Sequence, residues 1–153
     1  RAELWAPEEA ARRWLDALSL VRPGHPGLVV GRIPESLGQM LVRWSPTDYA
    51  QRLLDEREAL GFFPACTMVA LDGTPAQVRQ VADQVVREGG AELVGTVALP
   101  VTREGEERQV RTLVRTPLAN AARMLATLTD IRRSRAARKV APVKMSVNPP
   151  ELF

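Results

Sequence analysis

The chain has 153 residues, 45% of them hydrophobic and 25% charged, with a net charge of +3, the balance of a folded domain or of one domain and a smaller piece. No run approaches the roughly 18 apolar residues that span a bilayer, and the start has no signal-peptide layout. A single cysteine, Cys66, excludes an intramolecular disulfide, and with His25 as the only histidine there is no clustered ligand set for a structural zinc.

Pro7 to Leu20 predicts a helix, with Pro7 in the first turn, Glu8 and Glu9 at the positive end of its dipole, and Ala10, Ala11, Trp14, Leu15 and Leu18 on one side. Arg22-Pro23-Gly24-His25-Pro26-Gly27 breaks regular structure, which leaves His25 in a surface loop. Leu28-Val29-Val30 predicts a short buried strand. Pro34 to Trp44 predicts a short helix on Leu37, Met40, Leu41 and Trp44, weakened by Gly38. One strand and two helices close no core, so residues 1–44 are expected to be the tail of a larger α/β domain. A start on Arg1 rather than methionine suggests a piece of something longer.

Ser45, Pro46 and Asp48 form the signature of a capped helix start, and Gly61 is placed where a helix leaves through positive φ. Phe62-Phe63-Pro64 reads as an aromatic hinge, so 45–64 is expected to be a connector. From Ala65 onward the order is β-α-β-β-α-β. A strand over Ala65–Leu71 turns at Asp72-Gly73. The helix Pro75–Glu88 turns Val78, Val81, Ala82 and Val85 inward, and the strand Ala91–Leu99 is interrupted by Gly95. A polar hairpin over Val101–Glu106 leads into the third strand, Glu107–Thr116, with Val110, Leu113 and Val114 as one face and Arg108, Arg111 and Arg115 as the other, although the alternation slips between Leu113 and Val114. Pro117 opens a second helix with Leu118, Ala121, Ala122, Leu125 and Leu128 inside, Met124 fitting the same core spacing, and Pro142–Val147 is the fourth strand. The expected fold is α+β, a ferredoxin-like or ribosomal-protein-like βαββαβ sandwich over 65–153 with its first and third strands central.

Catalytic chemistry finds little support. No Gly-x-x-x-x-Gly-Lys-Ser/Thr or Gly-x-Gly-x-x-Gly loop occurs, and there is no nucleophile elbow. Cys66 lies in an apolar run, as a small core residue does. Charge is more telling. Residues 1–100 carry ten basic and thirteen acidic side chains, residues 101–153 eleven basic and five acidic, and Asp130–Lys144 holds six basic against one acidic. Such one-sidedness suits a polyanion. Arg103, Arg108, Arg111 and Arg115 along the third strand, and Arg132, Arg133, Arg135, Arg138, Lys139 and Lys144 toward the fourth, are the candidate contacts. With few aromatics after residue 65, contact would be led by phosphates and salt-sensitive. A solvated charged face on a protein-docking module is the alternative.

The stretch Leu53-Leu54-Asp55-Glu56-Arg57-Glu58-Ala59-Leu60-Gly61-Phe62-Phe63-Pro64 resembles the signature of the bacterial primosomal replication-restart family, the primosomal protein N-prime helicases. That signature is an acidic/arginine helix followed by Leu-Gly-Tyr/Phe-Pro-Pro. Gly95-Thr96-Val97 resembles the family's Gly-Pro-Ala/Val, and Met145-Ser146-Val147-Asn148-Pro149 its closing Val-Asp-Val-Asp-Pro. The resemblance implies that 1–44 ends the second helicase lobe, 45–64 connects, and 65–153 is the C-terminal domain that recognises branched or forked DNA. It further implies a cytoplasmic, nucleoid-associated parent that uses ATP and magnesium, carries two zinc ions outside this stretch, and touches single-stranded-DNA-binding protein. For this stretch it implies no cofactor, no membrane, a monomer, and forked or single-stranded DNA and the rest of the parent as partners. Three departures stand out, one of them in the third strand, where the family's Tyr-Arg-Trp-Gln reads Arg108-Gln109-Val110-Arg111, which removes an aromatic and moves the arginines. The family's Gly-Arg-Ala-Gly-Arg motif is missing from the region around Trp14–Pro23, as in members with degenerate helicase motifs, and Asn148 stands where the family has aspartate.

Overall fold

A computed structural model describes residues 5–100, 107–150 and 152. The predicted hairpin over 101–106, and with it Arg103, lies outside the described residues. The chain divides into two compact units, residues 2–56 and residues 57–153.

In the first unit, α1 (Ala6–Ser19) places Pro7 in its first turn and buries Ala11, with Ala10, Trp14, Leu15 and Leu18 half-buried beside it. These pack with Leu37, Met40 and Leu41 of α2 (Glu35–Arg43) and Tyr49 of α3 (Pro46–Leu60). The Ser45 carbonyl accepts the Tyr49 N–H at 3.2 Å and so opens α3. Two expectations fail. Residues 28–30 form no strand, because nothing among the described residues offers them a ladder; Leu28 and Val30 are exposed and only Val29 turns inward. Trp44 is not part of the apolar side of α2. It is the residue after the helix, at φ +52°, and that left-handed turn carries its ring outward to 53% exposure.

The second unit is a four-stranded, wholly antiparallel, open sheet with two helices on one face. Its strands are β1 (Cys66–Gly73), β2 (Glu92–Ala98), β3 (Val110–Pro117) and β4 (Lys144–Val147), in the spatial order β2-β3-β1-β4, so the first and third are central as expected. Between β1 and β2 runs α4 (Pro75–Gly89), and between β3 and β4 a 3₁₀ turn (Leu118–Asn120) and α5 (Ala121–Ala137). The Gly95 interruption is a shift of register between Leu93 and Gly95 against β3.

The continuous apolar run Met68–Leu71 is buried almost completely because both faces of β1 are covered. On one face Val69 and Leu71 meet Val110 and Val114, with Val78, Val81, Ala82 and Val85 of α4 and Met124, Leu128 and Ile131 of α5 above them. On the other, Cys66, Met68, Ala70 and Leu113 are roofed by Phe62, Phe63, Val94 and Leu152. The expected single-sided β3 is therefore corrected. Leu113 and Val114 are both fully buried, on opposite faces, and the apparent slip in their alternation is a strand between two apolar layers. The strand also begins later than expected, with 107–109 outside the ladder. Asp72 and Gly73 do not turn the chain but extend β1, facing Arg111 and Val110. In the helix after β3, Leu128 and Met124 are buried as expected and Leu125 packs against the same core, but Leu118 and Ala122 are exposed and Ala121 is only half-buried, because the 3₁₀ turn changes the angular phase at the start, and Ile131 completes the inward side.

Candidate functional site

Successive β3 residues point to opposite faces, so Arg111 and Arg115 share the face of Leu113. Neither guanidinium is presented to solvent as a bare cation. Arg111 donates from Nε and Nη2 to the two carboxylate oxygens of Asp72, its cross-strand neighbour, at 2.8 and 2.9 Å, with both side chains mostly buried. Arg115 donates to both oxygens of Glu92 at 3.2 Å, and its Nη1 also reaches the carbonyls of Leu60 and Gly61 at 3.0 and 3.2 Å. Glu92 is its register partner on β2. The hydrogen bonds to Glu92 hold Arg115 in its charged form, raising its pKa against some desolvation. Arg108 is exposed just ahead of β3, and Lys144 is exposed at the start of the edge strand β4.

The remaining candidates gather where α5 ends. Arg132 and Arg133 are exposed in its last turns, and Arg133 lies 3.8 Å from the equally exposed Asp130. Arg135 is half-buried. Arg138 and Lys139 are exposed in the exit turn, where the Lys139 N–H donates to Ala136 O and the Val140 N–H to Arg135 O, each at 3.1 Å. Cations there also offset the negative end of the helix dipole. The structure thus brings the exposed side chains of Arg132, Arg133, Arg138 and Lys139 to one end of one helix.

Sequence reasoning passed over three features. Asp72 and Glu92 neutralise the β3 arginines, which becomes visible only once strand order sets the register. Asn148, at φ +45°, clips the chain to β1: its Oδ1 accepts the Met68 N–H at 3.0 Å and its own N–H donates to Met68 O at 2.8 Å. An apolar groove of about 550 Å³ lies between α4 and β2, floored by Val110 and Thr112 and edged by Val86 and Leu93, which is 54% exposed. Thr96 and Thr112 hydrogen-bond within it at 2.8 Å.

No group of three or more His, Cys, Asp or Glu among the described residues could hold a metal ion. Cys66 is buried and donates to Gly61 O at 3.0 Å; burial raises its thiol pKa, against a smaller pull from Arg115. No helix among the described residues is long and apolar enough to cross a membrane.

Residues 58–150 match the sequence model of the primosomal protein N C-terminal domain. Curated relatives include the probable replication restart protein PriA of Mycobacterium leprae (strain TN), 34% identical over 122 residues that cover 78% of this chain and 18% of the relative. The protein of the same name from Mycobacterium tuberculosis (strain ATCC 25618 / H37Rv) is 36% identical over 107 residues, 65% of this chain and 16% of the relative. The chain therefore spans less than a fifth of the length of either. Among solved structures, CPII bound to ADP and bicarbonate, from Thiomonas intermedia K12, covers 54% of this chain and 82% of its own at 10% identity; its TM-score of 0.33 is too low to carry a fold assignment.

Proposed function

Because the chain belongs to the family of the primosomal protein N C-terminal domain, we propose that it serves replication restart by holding branched or forked DNA through the phosphates at the C-terminal end of α5. The observation that carries the reading is the exposed set Arg132, Arg133, Arg138 and Lys139 gathered there, against the neutralised arginines of β3. Arg108 and Lys144 are secondary contacts. The same proposal takes the connectivity and strand order as ferredoxin-like or ribosomal-protein-like. It divides the chain into a lobe remnant (1–44), a connector (45–64) and the DNA-holding domain (65–153). It also includes single-stranded-DNA-binding protein and the rest of the parent as partners.

Forked-duplex binding, followed by fluorescence anisotropy across a salt series, tests it. Changing Arg132, Arg133, Arg138 and Lys139 together to Gln should weaken binding alike for unrelated sequences and flatten the logarithmic salt slope, by roughly 0.9 for each phosphate no longer neutralised. A control with Arg22, Arg32, Arg43 and Arg52 changed to Gln removes equal charge from exposed positions in the acidic half. Equal weakening in both variants would show that only total charge matters and would end the proposal.

The second reading, a protein-docking module that does not touch DNA, is favoured by the groove between α4 and β2 with its exposed Leu93. Unchanged affinity and slope in the α5 variant would decide for it.

A further inference from the structure

The tract at the end of α5 reads in sequence as equivalent cations, and the structure separates one from the rest. Arg135 is half-buried. Its Nη2 donates to Ala141 O at 2.8 Å and its Nη1 to Gln80 Oε1 at 3.3 Å, so one guanidinium ties α5 both to α4 and to the chain entering β4. Its Nε is buried and finds no acceptor among the described residues. Sinking an arginine without a carboxylate partner gains little in stability. What the arrangement does achieve is to fix the turn 138–141 against the helices.

That turn holds a second anomaly. Lys139 sits at φ +54°, just past the helix, in the left-handed region that a side chain adopts only at a cost. Glycine takes that place after α3 and α4, as Gly61 at φ +64° and Gly90 at φ +66°, and Trp44 takes it after α2. A lysine there gives up backbone ease and gains an exposed ammonium.

We propose that Arg135 is the positioning residue of this site: it does not touch the phosphates but holds the 138–141 turn so that Arg138 and the strained Lys139 present their charges together. The inference rests on the DNA-holding reading above, and its test has one arm that does not.

The full chain is used throughout. Without DNA, Arg135→Gln should speed amide hydrogen exchange at Lys139 and Val140 by about tenfold or more, since the turn loses its tie. With the forked duplex, Arg135→Gln should lower the salt slope as much as Arg138→Gln/Lys139→Gln does, about 1.8 for two phosphates, and the triple variant should lower it no further. Arg135→Lys discriminates most sharply, and it also serves if Arg135→Gln does not fold. It keeps the charge but cannot span both acceptors, so it too should lower the slope and weaken protection. Lys139→Gly should melt no lower than the parent chain yet reduce the slope by about 0.9.

An additive slope in the triple variant, or a slope kept whole by Arg135→Lys, would make Arg135 a direct phosphate ligand and overturn the proposal. So would unchanged exchange at Lys139 and Val140. Absence of salt-dependent DNA binding in the parent chain would end the functional reading instead, while the exchange arm still decides whether Arg135 holds the turn.

Discussion

Gly61→Ala probes how the end of α3 is fastened to the sheet. Gly61 follows the helix at φ +64°, and the Phe62 N–H closes back to Arg57 O at 2.8 Å, the six-to-one bond of a left-handed helix end. A methyl group there meets two separate costs. The left-handed backbone itself costs an alanine about 1 kcal/mol more than a glycine. The new Cβ would also stand 2.7 Å from Arg115 Nη1 and 3.2 Å from its Cζ. An arginine head ordinarily swings aside cheaply. This one would have to give up its bonds to Leu60 O and Gly61 O and disturb its pair with Glu92. Those bonds are partly solvated, and the Glu92 side chain is 67% exposed, so breaking them costs about 1–2 kcal/mol rather than the full value of a buried charged set. The expected cost is about 2–3 kcal/mol, read by urea unfolding followed by circular dichroism. In an Arg115→Ala background the same substitution should cost only the backbone share, about 1 kcal/mol. A cost below about 0.5 kcal/mol in the parent chain, or one that Arg115→Ala leaves unchanged, would refute this account of the junction.

Two further outcomes follow from local geometry. At Asn148 the structure uses an acceptor, not a charge, so Asn148→Asp should alter stability by less than about 1 kcal/mol. Asn148→Ala removes the Met68 bond and the tolerance of asparagine for positive φ, so it should cost about 1–3 kcal/mol by thermal melting. At Glu9 the hydrogen bonds from Arg12 and Arg13 hold the carboxyl down at about 2 from an ordinary 4.5. A depressed folded-state value means that the pair supports α1 fully above about pH 4.5 and fades as pH falls toward about 2. An NMR titration should place the Glu9 midpoint there, and Arg12→Gln/Arg13→Gln should return it toward the ordinary value.

The β-α-β-β-α-β order was legible because each element of the second unit has a local signal strong enough to stand alone. The inward side of α4 and the Gly61 exit are cases where period and capping chemistry agree with the packing. Some failures come from a neighbour that sequence does not name, others from a local turn that shifts the phase of a helix. Leu28-Val29-Val30 has strand composition but no ladder among the described residues. The two-sidedness of β3 depends on Phe62, Phe63 and Leu152 roofing the second face, and Phe62-Phe63-Pro64 by itself looks only like a hinge. In α5 a 3₁₀ turn offsets the first turn, so Leu118 and Ala122, counted from Pro117, fall outside, while Met124 and Leu128 fall inside as expected and Ile131 continues their i, i+4, i+7 pattern.

The candidate site was legible as charge and illegible as partnership. Counting arginines gives β3 and the α5 end equal standing, yet a phosphate competing for Arg111 must first displace a mostly buried two-bond carboxylate, and one competing for Arg115 must release two backbone carbonyls besides Glu92. Arg132, Arg138 and Lys139 hold no carboxylate among the described residues, so under the proposed reading a phosphate there would displace water and counterions, a release that makes affinity salt-dependent. The difference between the two groups lies in residues distant in sequence: Asp72 and Glu92 stand 39 and 23 positions before the arginines they hold, whereas among the described residues the one carboxylate beside the α5 tract is Asp130, 3.8 Å from Arg133. Positive charge that the fold has not already spent on itself is what a polyanion can use, and the exit of α5 is where the exposed cations Arg132, Arg133, Arg138 and Lys139 stand closest together in the chain, whereas Arg22, Arg32, Arg43, Arg52, Arg79, Arg87, Arg108 and Lys144 are exposed singly.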